Sequence, residues 1–405
     1  MTFYRTWMTA AVVVGGITVA ASSAAAQKRY DPGASDTEIK LGQTVPYSGP
    51  ASAYATQGKA QAAYFRMINE SGGIRERKIT LLSYDDGYNP TKTVEQVRRL
   101  VESDQILLTF QIIGTPTNTA VQNYLNAKKV PQLFTGSGAT RFSDPERFPW
   151  SIGFPLNYRA EGRIYARYIL DNYPNARIGA LYQNDDFGKD YLTGLKEGLG
   201  SKAASMIVAE APYEVADPTI SSQIVRLKTA GADLLYTAAI PKFATQAIKK
   251  VAEMSWKPVH ILAIVSTSIG SVLAPAGLQN AKWIVSVRYQ KDPSDPTWND
   301  DPAMKKWSAF MDKYYPEGDK NDGNNVYAYA AAQLMVKVLE MCGDELTREN
   351  IMKQATNLKD VVLDLLLPGI SINTTPTDYR IFKQVQMARF DGERWVLFGP
   401  IINAE

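Results

Sequence analysis

The stretch 39-IKLGQTVPYSGPASAYATQGKAQAAYFRMINESGGIRERKITLLSY-84 holds the pattern from which the fold is read. It opens on a short β-rich run, Ile39–Val45. In the segment that follows, Ala60, Ala63, Tyr64, Met67 and Ile68 recur at i, i+3, i+4, i+7 and i+8, which is one face of a helix. Ser71-Gly72-Gly73 closes that helix, because glycine just past the last periodic residue is a stop signal. Ile79–Tyr84 is the next strand. Working outward, a helix carries Val94, Val97 and Val101 on one face, and a third unit pairs strand Ile106–Phe110 with a helix holding Val121, Tyr124 and Leu125. Strand, helix, strand, helix predicts an α/β fold with a parallel sheet covered on both faces.

The rhythm restarts after the Pro/aromatic stretch Phe148–Pro155. A helix around Ala160–Tyr173 leads to strand Ile178–Tyr182, a helix from Phe187, a strand near Met206–Ala209, a helix with Ile220, Ile224 and Leu227, and strand Leu234–Thr237. Two more strands are expected near Val259–Ala263 and Ile284–Val287. Past the polar turn cluster Asp292–Pro296 lie helices holding Trp307, Phe310 and Met311, then Tyr327, Ala330, Ala331, Leu334 and Val338. The tail, Tyr379–Phe398, reads as two strands around the turn Asp391-Gly392. The pattern describes two α/β lobes of similar build.

The whole chain of 405 residues has 44 Lys+Arg against 41 Asp+Glu, with one His and one Cys. Cys342 alone excludes a disulfide framework or a Cys-rich metal centre within one chain, and His260 alone excludes a multi-histidine site. A net charge of +3 with both signs mixed along the chain gives no basic stripe of the kind nucleic acid demands. Residues 1–26 read as a secretory signal peptide. Arg5 supplies the positive region, Thr9–Ala21 the apolar run, and Ala24-Ala25-Ala26 the small-residue cleavage site before Gln27. That core is too short for a membrane span, and no Cys follows the cleavage site to carry a lipid. The mature chain is therefore expected to be exported.

Several segments invite a chemical reading. Tyr84-Asp85-Asp86 and Asn184-Asp185-Asp186 both follow strands, where paired carboxylates hold a cation or move protons, but an aspartate there also caps the next helix. The second use is favoured, since no third carboxylate stands at ligand spacing. Gly136-Ser137-Gly138 is half a dinucleotide fingerprint, with Arg141 where the third glycine belongs. Its glycines suit either a backbone approaching a small ligand or a tight turn. In Gly114–Asn118 the hydroxyls and free N–H groups at a helix start make either an anion site or ordinary N-caps by Thr115 or Thr117. No serine stands in G-x-S-x-G, and His260 sits in an apolar strand, so neither a hydrolase nor an oxidoreductase has visible machinery. No cofactor or metal is expected.

Four segments together resemble the periplasmic solute-binding proteins of the leucine/isoleucine/valine type, which feed ABC importers. They are Ser48-Gly49-Pro50 with Tyr54 and Gly58, Asn69–Ile74, Tyr84-Asp85-Asp86 with Pro90, and Tyr182–Gly188. The likeness spans the mature chain from about Glu38 to the C-terminal strands. It implies a type I periplasmic binding fold: two Rossmann-like lobes joined by three crossovers near Phe154, Arg288 and Leu365, closing as a hinge. The first lobe would take 36–154 plus 288–365, and the second 155–287 plus 366–405.

The resemblance also implies a ligand site in the cleft. A ligand carboxylate would be held by the first-lobe strip Thr115-Pro116-Thr117 and by Ser137-Gly138-Ala139, Ala139 replacing a residue that is often Thr. Tyr54 would be an aromatic wall and Phe187 the second lobe's lid. The acid that neutralises an amino acid's ammonium falls on Val265, and a second lid tyrosine falls near Ile240; Asp185 or Asp186 remains an alternative acid. An ammonium buried without counter-charge costs several kcal/mol. A small aromatic or aliphatic carboxylate without an amino group, or another small apolar metabolite, therefore suits Tyr54, Phe187, Ile240 and Val265 better than leucine. The expected partners are a small organic solute and an ABC permease of the inner membrane, with a periplasmic monomer delivering the one to the other. A ligand-sensing subunit of a signalling system is the alternative on the same fold.

Overall fold

The computed structural model describes residues 1–4, 6–7 and 28–404. Arg5 and the run Met8–Gln27, on which the leader reading rests, lie outside the described residues. Among the described residues no helix is long and apolar enough to cross a membrane.

In chain order the first strands are β1 (Arg29–Tyr30), β2 (Glu38–Val45), β3 (Lys78–Asp85), β4 (Leu108–Phe110), β5 (Gln132–Thr135) and β6 (Ser151–Gly153). β2 to β6 form a five-stranded sheet of order β3-β2-β4-β5-β6, parallel throughout. The quoted stretch builds its centre, with β2 and β3 in register from Glu38↔Lys78 to Val45↔Asp85. Between them the helix Ala55–Glu70 buries Ala60, Ala63 and Tyr64, with Met67 and Ile68 half-buried against the same core. Gly73, at φ +73°, turns the chain out of that helix, and its N–H closes on the Ile68 carbonyl. The valine face of the next helix, Pro90–Glu102, packs with Val121 and Leu125 of the helix Thr115–Ala127 into a small cluster of its own.

After β6 the chain leaves this sheet through Phe154–Asn157. The helix Tyr158–Asn172 starts the second unit, whose strands are β7 (Ile178–Gln183), β8 (Ile207–Tyr213), β9 (Leu234–Ala238), β10 (Val259–Leu262) and β11 (Val285–Arg288). The chain then returns to the first unit. The helices Pro302–Tyr314 and Gly323–Cys342 cover the helix Ala55–Glu70, with Tyr64 4.9 Å edge-on from Tyr329 and 5.9 Å from Phe310. There β12 (Glu345–Leu346) pairs with β1. Finally β13 (Gln384–Phe390) and β14 (Trp395–Asn403) extend the second sheet antiparallel, for an order of β14-β13-β11-β10-β9-β7-β8. The outgoing and returning passages lie side by side, since Lys291 N–H bonds the Leu365 carbonyl at 2.8 Å and Leu367 N–H bonds that of Tyr289 at 3.0 Å.

Both sheets thus repeat one topology, in which the order reverses beside the first strand of each unit. In such sheets ligands bind outside the carboxyl ends of the strands near that reversal. Truncating Tyr64 to Ala should cost about 3 kcal/mol, as for other large buried aromatics, because it removes the ring that joins Ala55–Glu70 to the two later helices. Urea unfolding of Tyr64→Ala should show this as a lowered midpoint.

Candidate functional site

The carboxyl ends of both sheets face each other across a cavity with about 820 Å³ of empty space, its mouth included. The five-stranded side contributes Tyr54, at the end of the turn Ser52–Tyr54, whose hydroxyl donates across the cleft to the Val265 carbonyl at 3.2 Å. Gln57, one turn on, donates to Asn324 at 2.8 Å. Tyr88 lies against Gly114, whose φ of +103° and missing side chain let the ring approach; a Cβ there would overlap it. The second side contributes Phe187, in the first turn of the helix Asp186–Leu199, standing edge-on to Tyr158 at 5.2 Å. Ile240 sits just before the helix Pro241–Glu253, its N–H donated to the Tyr213 hydroxyl at 3.1 Å. Ile264, Val265, Thr267 and Ser268 come from the turn after β10.

Of the residues expected from sequence, Tyr54, Thr115, Phe187, Ile240 and Val265 line the cavity. Pro116, in the first turn of the helix Thr115–Ala127, does not. Ser137, Gly138 and Ala139 also fall outside, in a smaller cavity with Phe142 and Asn157. The physical reason is Tyr158. Its ring and the Leu156 carbonyl cover Gly138, and its backbone N–H bonds the Gly138 carbonyl at 2.9 Å. Ser137 is spent on Thr115, 2.7 Å between hydroxyls, and on the Ala139 N–H at 3.2 Å. Thr115 and Thr117 are not N-caps either: the helix has no side-chain cap, and Thr117 bonds the Ile113 and Gly114 carbonyls. Both aspartate pairs are structural. Asp185 caps Asp186–Leu199 through the Phe187 and Gly188 N–H groups, Asp186 pairs with Arg141 at 2.9 Å, and Asp85 and Asp86 tie the loop after β3.

Sequence reading passed over the crossover wall: Tyr158, Arg288, Tyr289 and Gln290. Arg288 is the one charged side chain among the lining residues. Its Nη1 donates to Thr267 at 3.1 Å, its Nη2 to Asp292, and its flat face lies 4.9 Å from the Trp395 ring. Burial lowers the guanidinium's pKa, and Asp292 opposes that shift. Among the described residues no group of three or more His, Cys, Asp and Glu side chains is placed to hold a metal.

The two sides are tied together beside the cavity. Asp322, which caps the helix Gly323–Cys342, accepts from Ser268 at 2.7 Å and Ser271 at 3.2 Å. Gly270 N–H bonds the Asn321 carbonyl at 3.0 Å, and a Cβ on Gly270 would meet the Asp322 nitrogen at 3.1 Å. Farther round, Asp190 accepts the Thr140 N–H at 2.6 Å. Two like α/β lobes thus clasp one cavity.

Residues 38–394 match the model of a family described as periplasmic binding protein. The chain belongs to that family. Among its relatives, Leu/Ile/Val-binding protein homolog 1 of Brucella abortus (strain 2308) is 25% identical over 345 residues, which cover 82% of this chain and 87% of the relative. The binding fold also matches a branched chain amino acid ABC transporter structure from Thermus thermophilus with bound valine, at a TM-score of 0.80, 15% identity and coverage of 91% and 97%. A solute binding protein of an ABC transporter from Rhodopseudomonas palustris BisB5, in complex with 3,4-dihydroxy benzoic acid, gives 0.74, 18% identity and coverage of 91% and 98%. This periplasmic binding protein therefore has the type I fold of two α/β lobes.

Behind the cavity wall sits Glu161, fully buried, which accepts from Tyr165 and Tyr191 at 2.7 Å each and from the Ile264 N–H at 2.8 Å. Burial pushes its pKa from 4.5 up to about 7, against the pull of those donors. His260, expected to be a packed core residue, is buried and bonded to Thr237 at 3.0 Å, and burial pushes its pKa from 6.5 down to about 4. Glu161 favours the folded state fully below 4.5, and that contribution is lost as pH rises through about 7. His260 does the opposite: its contribution is present above 6.5 and lost as pH falls through about 4. Over the window where both act the two slopes oppose, each at most about 1.4 kcal/mol per pH unit. Relative to the parent, Glu161→Gln should lose stability on acidification from roughly pH 6.5 to 4.5, and His260→Gln should gain it. Urea melts across that window read both signs, and a Glu161→Gln profile parallel to the parent's would contradict this assignment.

Proposed function

We propose that this chain is the exported receptor of an ABC importer and that its ligand is a small carboxylate without an ammonium group. The observation that carries this reading is the charge of the cavity wall, which includes Arg288 and no acidic side chain. Val265 stands where the resemblance puts the ammonium's acid, and its side chain offers no charge. The alternative acids are committed elsewhere, Asp185 to its helix and Asp186 to Arg141. An ammonium here would be buried without a counter-charge, at a cost of several kcal/mol. Tyr54, Tyr88, Phe187 and Tyr289 suit an apolar or aromatic body instead. Two neighbours of the same fold hold valine and 3,4-dihydroxy benzoic acid; the wall of this chain fits the second kind of ligand.

In this reading the lobes 36–154 plus 288–365 and 155–287 plus 366–405 close over the solute, and a permease takes it from the closed form. The leader would send the chain to the periplasm. The function is binding without turnover: His260 is enclosed in its strand with Thr237, away from the cavity wall.

A thermal-shift screen of the refolded, ligand-free mature chain tests this. At a hundred times its dissociation constant a ligand stabilises the native state by about 2.7 kcal/mol, a rise of a few degrees. Benzoate, 3,4-dihydroxybenzoate or hexanoate should produce that rise, whereas leucine and valine should not. A response to leucine or valine alone would overturn the proposal. Tyr54→Ala should weaken binding of the responding carboxylate about tenfold or more while the chain stays folded, since it removes both a wall and the bond to Val265. Calorimetry on the folded variant checks it.

A further inference from the structure

We propose that the ligand's carboxylate is anchored at the crossover, by Arg288 and Gln290, rather than on the first-lobe strip from Thr115 to Ala139. This rests on the reading above that the ligand is a carboxylate, and adds where its charge is held.

Two buried donors on the crossover lack partners. Arg288 Nε and Gln290 Nε2 are both shielded from solvent with no hydrogen-bond acceptor in the protein, and both residues line the cavity. Native proteins leave few such groups unpaired, so two unpaired donors two residues apart on one segment point to an acceptor supplied from outside the chain. A guanidinium has five N–H donors. Thr267 and Asp292 take one each, and the Trp395 ring covers a face, so the group is held in place with its Nε edge unspent. A planar fork fixed in this way matches a carboxylate with two parallel bonds. Gln290 adds a neutral donor beside it. Its backbone is pinned by the bridge to Leu366, which sets the position of its side chain.

The alternative anchor is already occupied by the protein. Tyr158's ring and the Leu156 carbonyl close over Gly138, and Ser137 is bonded to both Thr115 and the Ala139 N–H. None of Ser137, Gly138 and Ala139 lines the cavity. A carboxylate entering there would have to displace Tyr158, which stacks on Tyr191 at 4.7 Å and meets Phe187 edge-on.

The experiment is calorimetric titration of the mature chain with benzoate, 3,4-dihydroxybenzoate and hexanoate, each beside its primary amide, using the tightest carboxylate for the variants. Arg288→Lys and Gln290→Leu should each weaken carboxylate binding about tenfold and narrow the preference for carboxylate over amide, because they remove donors aimed at the charge. Ser137→Ala should change binding by no more than about twofold. Arg288 also supports Thr267 and Trp395, so the Gln290→Leu result decides the matter if Arg288→Lys fails to fold. An unchanged carboxylate-to-amide preference in Gln290→Leu, or a larger loss in Ser137→Ala, would overturn the anchor and leave the carboxylate reading standing. Silence from all three carboxylates would remove the reading and the anchor together.

Discussion

Asp322 belongs to one lobe and takes its hydroxyl donors from the other. A carboxylate this well buried is tolerable only while its oxygens are hydrogen-bonded, and Ser268 and Ser271 supply two of the bonds. The cap of Gly323–Cys342 and the juxtaposition of the two sheets therefore depend on one another. If the lobes part, water must replace the serines around Asp322, the Tyr54 bond to Val265 is lost, and the cavity ceases to exist as an enclosed space. The closed arrangement is thus specified by polar contacts at the rim, while the interior is left to aromatic walls and one cation.

That division has an electrostatic logic. Arg288 is buried, and a buried charge needs partners. Asp292 and Thr267 provide them from within the same region, with Trp395 stacked on the guanidinium. The wall is consequently polarised without being strongly charged, and it presents donors rather than acceptors. An acidic side chain in the same wall would reverse that preference. The acids near the site are all committed: Asp292 to Arg288, Asp322 to the rim, Asp185 to a helix cap, and Glu161 behind Ile264.

Most of the fold could be read along the chain because its signals are local. The apolar spacing of Ala60, Ala63 and Tyr64, the glycines after Ser71 and the β-rich runs on either side act over a few residues, and the elements appear where that spacing puts them. Edges shifted where tertiary pairing decides them: the strand expected at Ile106–Phe110 is Leu108–Phe110, and that near Met206–Ala209 runs Ile207–Tyr213. The site was legible on the strand ends, through Tyr54, Thr115, Phe187, Ile240 and Val265, and opaque on the crossovers. Arg288 and Leu365 were visible as points of passage, but nothing nearby in sequence says that the Arg288 side chain lines the cavity or that Trp395 lies over it. Tyr158 was hidden for a related reason. It stands on a helix of the second lobe, yet it fills the strip after β5 in the first, and only the closed geometry makes that substitution visible.

Gly270 has a consequence for what the outside world meets. Its backbone lies directly against residues 319–322 of the opposite lobe, where its N–H bonds the Asn321 carbonyl and a Cβ would meet the Asp319 carboxylate and the Asp322 nitrogen. A close backbone contact has little room to yield, so at this point the lobes can come no nearer whatever lies inside. Solutes of different length would alter the packing of the aromatic walls and leave the outer contour as it is. If the proposed permease reads that contour, it would register that the protein is loaded, with the identity of the cargo left for the translocation path to test.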